Sequence, residues 1–135
     1  MPLTYEQAER TLRAAMAKAQ EMGLRMGISV VDDKGNLVAM GRMTGAGGGT
    51  ADISLGKAKV AAAYGVASKV ISERLPQSIT IPLTVMNGGR LVFSQGAVPL
   101  KEGDVVVGAV GASGNTPEND ELVAEAGAAA LSSAR

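Results

Sequence analysis

The chain of 135 residues contains no cysteine, no histidine and no tryptophan. Without cysteine there are no disulfide bonds, and without cysteine and histidine together there is no structural zinc site of the usual composition. The missing imidazole also excludes Ser-His-Asp and Cys-His catalytic groups and removes the side chain most often used as a general base. Any metal would have to be held by carboxylate or carbonyl oxygens.

Aromatic residues and long apolar runs are also scarce. Tyr5, Tyr64 and Phe93 are the only aromatics, and 13 basic residues balance 13 acidic ones along the chain. A nucleic-acid surface needs a basic patch and aromatic stacking, so nucleic acid is not an expected partner. No run approaches the roughly 20 apolar residues that span a bilayer, and the N-terminus lacks the pattern of a signal peptide. We therefore expect a cytoplasmic protein without membrane association.

What the chain does have is many small residues, including 18 glycines, beside a hydrophobic fraction of 46%. This length and composition predict one globular domain over residues 1–135. Alanine and glycine remove little apolar surface from water compared with leucine or phenylalanine, so the core is expected to be thin. Thin cores are often supplemented by burial between subunits, and we therefore expect a homo-oligomer.

Periodicity, caps and turn residues predict the secondary structure. Thr4 and Gln7 form a capping box, Thr50 is expected to cap the second helix, and Asn87-Gly88 is typical of a hairpin turn. The predicted helices are about 5–22, 50–64, 68–74 and 117–131. The predicted strands are 26–31, 37–43, 83–86, 91–94 and 105–112. Segment 76–82 is predicted to be irregular, and segment 95–104 to be a loop or an imperfect hairpin turn.

These elements follow one another in the order α-β-β-α-α-β-β-β-α. Two of the strand pairs are joined by short turns, which indicates antiparallel neighbours. We therefore predict an α+β domain with a central antiparallel sheet of about five strands and helices packed against it.

The segment 113–120 joins the last apolar strand to the last helix. Thr116 is expected to be the N-cap and Pro117 the first helical residue, followed by acidic residues that favour the helix dipole. A tight turn of this kind points free backbone N–H groups outward, where small proteins often hold an anionic ligand. The simpler interpretation is a well-capped helix, and both remain open.

Several segments together resemble the GlcG/HbpS-like family, also called the haem-degrading domain family, which includes the C-terminal domain of PduO-type proteins. The matching segments are 32–38, 42–43, 57–62, 87–89, 107–114 and 120–121. The resemblance covers nearly the whole chain and implies a profilin- or PAS-like fold, oligomeric assembly, and binding of haem, a corrinoid or another small organic ligand. The resemblance does not specify which of these cofactors, if any, is bound. Since histidine and cysteine are missing, haem iron would be held by Tyr64, a methionine or a lysine, or by no protein ligand.

The candidate ligand-binding residues combine this resemblance with the chemistry of each side chain. Lys57 is a candidate for binding a carboxylate, and Arg42 and Arg90 could each bind an anion with two hydrogen bonds. The glycines could let backbone N–H groups approach a ligand. The simpler interpretations are a surface ion pair for Lys57, a hairpin turn at 87–89 and a helix-dipole role for Asp120. The ligand is expected between the sheet and the Lys57 helix, near the 113–120 turn. The candidates are Arg42, Lys57, Asn87, Gly88, Gly89, Ser113, Gly114 and Asp120.

Three functional hypotheses follow. The first is a small-ligand-binding protein, for haem, a corrinoid or a carboxylated metabolite, that is accessory to a catabolic pathway. The second is a cofactor-free isomerase, lyase or hydrolase acting on a small carboxylated metabolite, with Lys57 and either Asp120 or Asp52 as proton-transfer groups. The third is a structural subunit that stabilises a pathway enzyme.

Overall fold

The computed structural model describes residues 2–133. In this part of the chain, five helices and four strands follow the order α-β-β-α-α-α-β-β-α. The elements are α1 (Tyr5–Glu21), β1 (Gly27–Asp32), β2 (Leu37–Arg42), α2 (Thr50–Tyr64), α3 (Ser68–Arg74), α4 (Gln77–Met86), β3 (Ala97–Glu102), β4 (Val105–Ser113) and α5 (Pro117–Ser133).

The four strands form one antiparallel sheet in the order β2-β1-β4-β3. Strand β4 is central, as its apolar sequence predicts, and every residue from 107 to 113 is buried. The α+β class is therefore confirmed. Among residues 2–133 the sheet has four strands where about five were predicted, because two of the predicted strands are absent and one unpredicted strand is present.

Helices cover both faces of this sheet. Alternate residues of β1 point in opposite directions, so Ile28 and Val30 join one core cluster and Val31 joins another. The first cluster includes buried residues of α1 and α5, and the second includes the alanines of α2. Helices α1 and α5 therefore pack on one face, and α2 packs on the other.

Helix α2 lies close to the sheet because the strands beneath it carry glycine. A methyl group on Gly111 would overlap the carbonyl oxygen of Ser54, and one on Gly27 would lie 2.6 Å from the carbonyl carbon of Thr50. The hydroxyl groups of Ser29 and Ser54 share a buried hydrogen bond of 2.8 Å across the same contact. Helix and sheet thus meet backbone against backbone at these positions, with no space left between them.

The helix ends follow most of the predicted caps. The Thr4–Gln7 capping box is present, and the Thr116 hydroxyl accepts the N–H of Asn119 at 3.2 Å, as expected of an N-cap. Thr50 was wrongly predicted as a cap. The N-cap of α2 is Gly49, and Thr50 is the first helical residue, because its hydroxyl donates back to the Gly47 carbonyl at 2.7 Å and makes no cap bond to the helix.

The prediction for segment 76–94 was wrong in two ways. The irregular connection 76–82 and the strand 83–86 are together helix α4, and 91–94 is not a strand. The Asn-Gly sequence ends this helix instead of forming a hairpin turn, with the N–H of Gly89 bonded to the Thr84 carbonyl at 2.8 Å. Gly88 and Gly89 both have positive φ, which helix C-termini and hairpin turns require alike, so the local signal is the same for both.

Segment 95–104 was predicted as a loop, but it contains strand β3, and only its last two residues form the hairpin turn to β4. Proline was the misleading signal, since Pro99 lies within this strand. Strand β3 is at the edge of the sheet, where one side of the backbone is unpaired and a missing N–H is tolerated.

We expect Gly111→Ala to lower the free energy of unfolding by about 1–3 kcal/mol, because the added methyl group must push α2 away from β4. Urea unfolding followed by circular dichroism measures the change. Gly48→Ala is the matched control, since no atom lies within 4 Å of the position its methyl group would take. Its expected effect is within about 0.5 kcal/mol. Equal effects of the two substitutions would contradict the close packing of α2 on the sheet.

Candidate functional site

A buried ion pair joins α2 to α5. The Lys57 ammonium lies 3.0 Å from Oδ2 of Asp120, and the two residues are 4% and 3% exposed. Lys57 is on the face of α2 that meets the sheet, and Asp120 is in the first turn of α5. Since a buried charge without a partner is strongly destabilising, each of the two residues requires the other.

The same two side chains also hold the end of strand β4. Lys57 Nζ donates to the carbonyl of Ala112 at 3.1 Å, and Oδ1 of Asp120 accepts the N–H of Asn115 at 3.0 Å. A methyl group on Gly96 would lie 2.8 Å from Lys57 Nζ, so the segment before β3 closes over the pair. Helix α2, the turn 113–116 and the N-terminus of α5 are therefore fixed to one another at this point.

This arrangement favours positioning over proton transfer. Lys57 was expected to be either a ligand-binding cation or a surface ion pair, and it is an ion pair inside the protein. Asp120 lies at the helix N-terminus as expected, but its carboxylate is bound to an ammonium and a backbone N–H. Both groups would have to release these partners before taking part in acid–base chemistry. Ser113 is buried beside them. A methyl group on Gly114 would lie 2.7 Å from the Arg25 carbonyl oxygen, so this position has no room for a side chain.

A cleft lies on the other side of α2, away from the sheet. It is about 280 Å³ in volume, with α2 as one wall and the chain that follows α4 as the other. Its lining residues are Asp52, Ile53, Leu55, Lys59, Gly89, Arg90 and Val92.

The cleft exists because the chain after α4 rests directly on α2. Gly56 has no side chain, and a methyl group there would overlap the Val92 side chain. The N–H of Val92 donates to the Gly56 carbonyl at 3.2 Å, which fixes this segment on the helix. The left-handed Gly88 and Gly89 turn the chain out of α4 toward this contact. Arg90 is thereby placed at the edge of the cleft, with its guanidinium folded back over Gly88.

Charge and apolar surface occur together in the cleft. Lys59 and Arg90 contribute two positive charges and Asp52 one negative charge, while Ile53, Leu55 and Val92 provide the apolar part. The Lys59 ammonium donates to the Gly35 carbonyl at 2.8 Å, which holds it at one side. A cleft of this kind suits a ligand with an apolar body and a carboxylate.

The structure divides the eight predicted site residues into three groups. Lys57, Ser113, Gly114 and Asp120 gather around the buried ion pair. The segment 87–89 lies at the end of α4, where Gly89 lines the cleft. Arg42 is separate from both groups, since it is exposed at the end of β2 and its Nη1 donates to the Ala46 carbonyl at 3.0 Å.

Sequence reasoning missed most of the cleft. It assigned α2 two functional residues, Lys57 and Asp52, without recognising that they lie on opposite faces of the helix. Residues 50, 54, 57 and 61 are spaced to face the sheet, while 52, 55, 56 and 59 are spaced to face outward. That spacing was available in the sequence. The approach of Val92 to Gly56 was not, because it joins segments with no local signal for contact.

A larger cleft of about 500 Å³ lies beside the end of α1. Met16, Leu24 and Met43 line it, and Arg25 is its one charged lining residue. The guanidinium of Arg25 already donates to the Thr44 carbonyl at 2.8 Å, and none of the predicted site residues reaches this cleft. Its chemistry is therefore less suited to an anionic ligand than that of the cleft beside α2.

Within residues 2–133, no group of three or more Asp and Glu side chains is close enough together to hold a metal ion. In the same part of the chain, no helix is both long enough and apolar enough to cross a membrane.

Both the sequence and the fold of this chain are similar to those of known proteins. The profile of a family described as haem degrading protein HbpS-like matches residues 3–129. An uncharacterised 15.0 kDa protein in the dhaT–dhaS intergenic region of Citrobacter freundii is 36% identical over 124 residues, which cover 91% of this chain and 87% of that protein.

Solved structures agree with the family match. The crystal structure of Klebsiella pneumoniae protein ORFY superposes with a TM-score of 0.87 at 32% identity, over 96% of this chain and 90% of that one. The crystal structure of a complex of PduOC with haem gives a TM-score of 0.86 at 25% identity, over 96% of this chain and 95% of that one. Both confirm the fold class.

We expect Lys57→Met and Asp120→Leu, made singly, each to lower the free energy of unfolding by about 3–5 kcal/mol, because each leaves an uncompensated buried charge. The double variant should lose less than the sum of the two, since it removes both charges. Urea unfolding of all four proteins gives the coupling energy. The exposed pair Glu9–Arg13 is the control, with an expected coupling below about 1 kcal/mol. Additive effects at Lys57 and Asp120 would contradict their pairing.

Proposed function

The chain belongs to the haem degrading protein HbpS-like family, and from this premise we propose that it binds a small organic ligand with an apolar body and carboxylate groups. Haem is the first candidate, and a corrinoid or a smaller carboxylated metabolite has the same chemical features. The ligand lies in the cleft between α2 and residues 89–92. In this proposal the buried Lys57–Asp120 pair supports the fold around the site without touching the ligand.

The observation that carries this proposal is the pairing of two cations with an apolar wall in one cleft. Arg90 is exposed at the rim and free to turn toward a carboxylate, to which a guanidinium binds with two parallel hydrogen bonds. Ile53, Leu55 and Val92 offer the apolar surface that a ring system covers. Gly89 adds a position where the backbone comes close to the ligand without a side chain between them.

The lining residues fit the periphery of a haem better than its iron. None of the seven is a tyrosine or a methionine, so the cleft supplies no common iron ligand other than Lys59, which is bonded to Gly35. At about 280 Å³ the cleft takes one edge of a tetrapyrrole or the whole of a small metabolite. Recognition would then rest on the carboxylates and one face of the ring. Bound haem would bring its own iron chemistry to the site.

Tyr64 was the residue expected to reach the iron. It is at the end of α2, 38% exposed, and its ring packs against Phe93 with centroids 6.2 Å apart at 57°. It does not line the cleft. Its role is therefore to pack against Phe93, and in our proposal haem binding does not depend on its hydroxyl group.

An accessory role in a catabolic pathway and assembly into a homo-oligomer are part of the same proposal. Ligand binding at an open cleft, which contains Asp52 but not Lys57, suits storage, delivery or protection of a ligand better than turnover. The alternative of a cofactor-free enzyme relied on Lys57 and an aspartate, and the pairing of Lys57 with Asp120 removes its main support. Asp52, the other aspartate of that hypothesis, lies in the cleft on the opposite side of α2.

Titration with hemin and with iron-free protoporphyrin IX tests the mode of binding. We expect saturable binding of both, with dissociation constants within about threefold, because the carboxylates and the ring carry recognition. Arg90→Gln should weaken both by about tenfold through loss of a charged hydrogen bond. Absorbance near the Soret band reports hemin, and fluorescence reports the porphyrin.

Two variants serve as controls in this titration. Arg10→Gln removes the same charge from an exposed position on α1 and should leave both affinities unchanged. Tyr64→Phe should also leave them unchanged. The proposal would be wrong if neither compound bound saturably, or if Arg90→Gln had no more effect than Arg10→Gln. Loss of hemin binding in Tyr64→Phe would instead assign the iron to Tyr64.

Asp52→Asn offers a second test with the opposite sign. The Asp52 carboxylate is the one negative charge among the cleft residues, and it repels an anionic ligand. Its neutralisation should strengthen hemin and protoporphyrin binding by about two- to fivefold at low salt, and the gain should shrink as salt rises. Unchanged or weaker binding at low salt would place the ligand elsewhere.

A further inference from the structure

The cleft beside α2 carries opposite charges at its two ends. Asp52 is in the first turn of α2 and Lys59 is seven residues further along the helix, and both side chains line the cleft. Since each helical residue advances about 1.5 Å, the two residues are about 10 Å apart along the helix axis. The apolar residues Ile53 and Leu55 lie between them along α2 and line the same cleft. A ligand in the cleft therefore meets a cation at one end and an anion at the other.

The cation at one end, Lys59, is held in place by the tip of the β1–β2 hairpin. Its ammonium donates to the Gly35 carbonyl at 2.8 Å, and a methyl group on Gly35 would lie 3.7 Å from Cγ of Lys59. The tip has its own internal bonds, because Oδ1 of Asp32 accepts the N–H groups of Lys34 and Asn36, each at 2.9 Å. An ammonium has three donors and Gly35 takes one of them. Lys59 therefore offers its charge and its remaining donors from a fixed position.

The charge of Asp52 at the other end is not neutralised. Within residues 2–133, Asp52 takes part in no salt bridge, and the residue is exposed. The positive end of the α2 dipole amounts to about half an elementary charge, so it offsets the carboxylate only in part. This end of the cleft is therefore negative.

Arg90 adds attraction for anions without removing this polarity. Its carbonyl oxygen lies 3.1 Å from the position that a methyl group on Gly56 would take, so its backbone faces the middle of the α2 wall. Its guanidinium is folded over Gly88, where a methyl group would lie 3.0 Å from Nη1. The charges of Asp52 and Lys59 thus decide which part of a ligand each end of the cleft accepts.

We propose that this polarity makes the cleft select ligands whose carboxylates all lie on one edge. The carboxylate edge lies at Lys59, and an uncharged edge lies at Asp52. This inference rests on the proposed ligand site, and it adds the orientation of the ligand and a specificity-determining role for Asp52.

Coulomb repulsion through water sets the size of the effect. Two like unit charges 4 Å apart in water weaken binding by about fivefold, and the same charges 10 Å apart by about twofold. A carboxylate beside Asp52 is therefore disfavoured more than one at the Lys59 end. A ring with carboxylates on every edge always places one near Asp52, while a ring with one carboxylate edge avoids it. If attraction to the two cations alone decided affinity, the ring with more carboxylates would bind more tightly.

Fluorescence titration with two porphyrins tests this selection. Protoporphyrin IX has both propionates on one edge, whereas coproporphyrin III has a propionate on every pyrrole ring. We expect the wild type to bind protoporphyrin at least about fivefold more tightly at low salt. Asp52→Asn should strengthen coproporphyrin binding by about fivefold and protoporphyrin binding by about twofold, so the ratio of the two dissociation constants falls. Near 1 M salt, where the Debye length is about 3 Å, this change in the ratio should disappear.

Matched substitutions outside the cleft serve as controls. Asp104→Asn removes the same charge from an exposed position in the turn between β3 and β4, and it should leave the ratio unchanged. Lys59→Gln should weaken protoporphyrin binding by about tenfold through loss of a charged hydrogen bond, while Lys101→Gln, at an exposed position of β3, should not. Lys59→Arg keeps the charge and should stay within about threefold of the wild type. It therefore covers the case in which Lys59→Gln disturbs the hairpin tip, and circular dichroism checks the fold of each variant.

The outcomes separate this inference from the proposed function. If neither porphyrin binds saturably, the ligand site itself is wrong and the selection falls with it. If both bind and the wild type takes coproporphyrin as tightly as protoporphyrin, or Asp52→Asn improves both equally, the site stands but its polarity does not select. If Lys59→Gln has no more effect than Lys101→Gln, the carboxylate edge does not lie at Lys59, and the proposed orientation is wrong.

Discussion

The structure depends on the direct contact between the backbone of α2 and the sheet. Gly27 and Gly111 leave no side chain at their own points of contact with the helix, so α2 settles there against the backbone of β1 and β4. This closeness brings Lys57 into the interior, where its charge must be matched. Asp120 matches it from α5, and the two residues then fix the turn between β4 and α5.

The close approach of α2 also decides where a ligand has space. A gap between the helix and the sheet would have left room for a ligand beside Lys57, but the glycines close that gap. Space remains on the outer side of α2, where Gly56 admits the chain that follows α4 and Arg90 arrives beside Lys59. Glycine therefore acts on both sides of α2. Gly27 and Gly111 let the helix pack directly on the sheet, and Gly56 lets the chain after α4 form a cleft on the outer side.

The outward face of α4 carries large apolar side chains. A core made largely of alanine and valine buries limited apolar surface, while four large apolar residues of α4 are exposed: Ile79, Ile81, Val85 and Met86. In a single copy those residues would be a liability, since exposed apolar patches promote unspecific association.

The sequence by itself determined the α+β class, the first hairpin, the central strand β4 and four of the five described helices, because these follow from short-range periodicity and caps. It also singled out Lys57 and Asp120 as important. Tertiary structure decided what local signals leave open. Gly88 has positive φ at the end of α4, and a hairpin turn at Asn87-Gly88 would require the same. Pro99 is tolerated because β3 is an edge strand. The partner of Lys57 and the meeting of Arg90 with α2 join residues more than 30 positions apart, so they depend on how closely backbones pack, which no local pattern records.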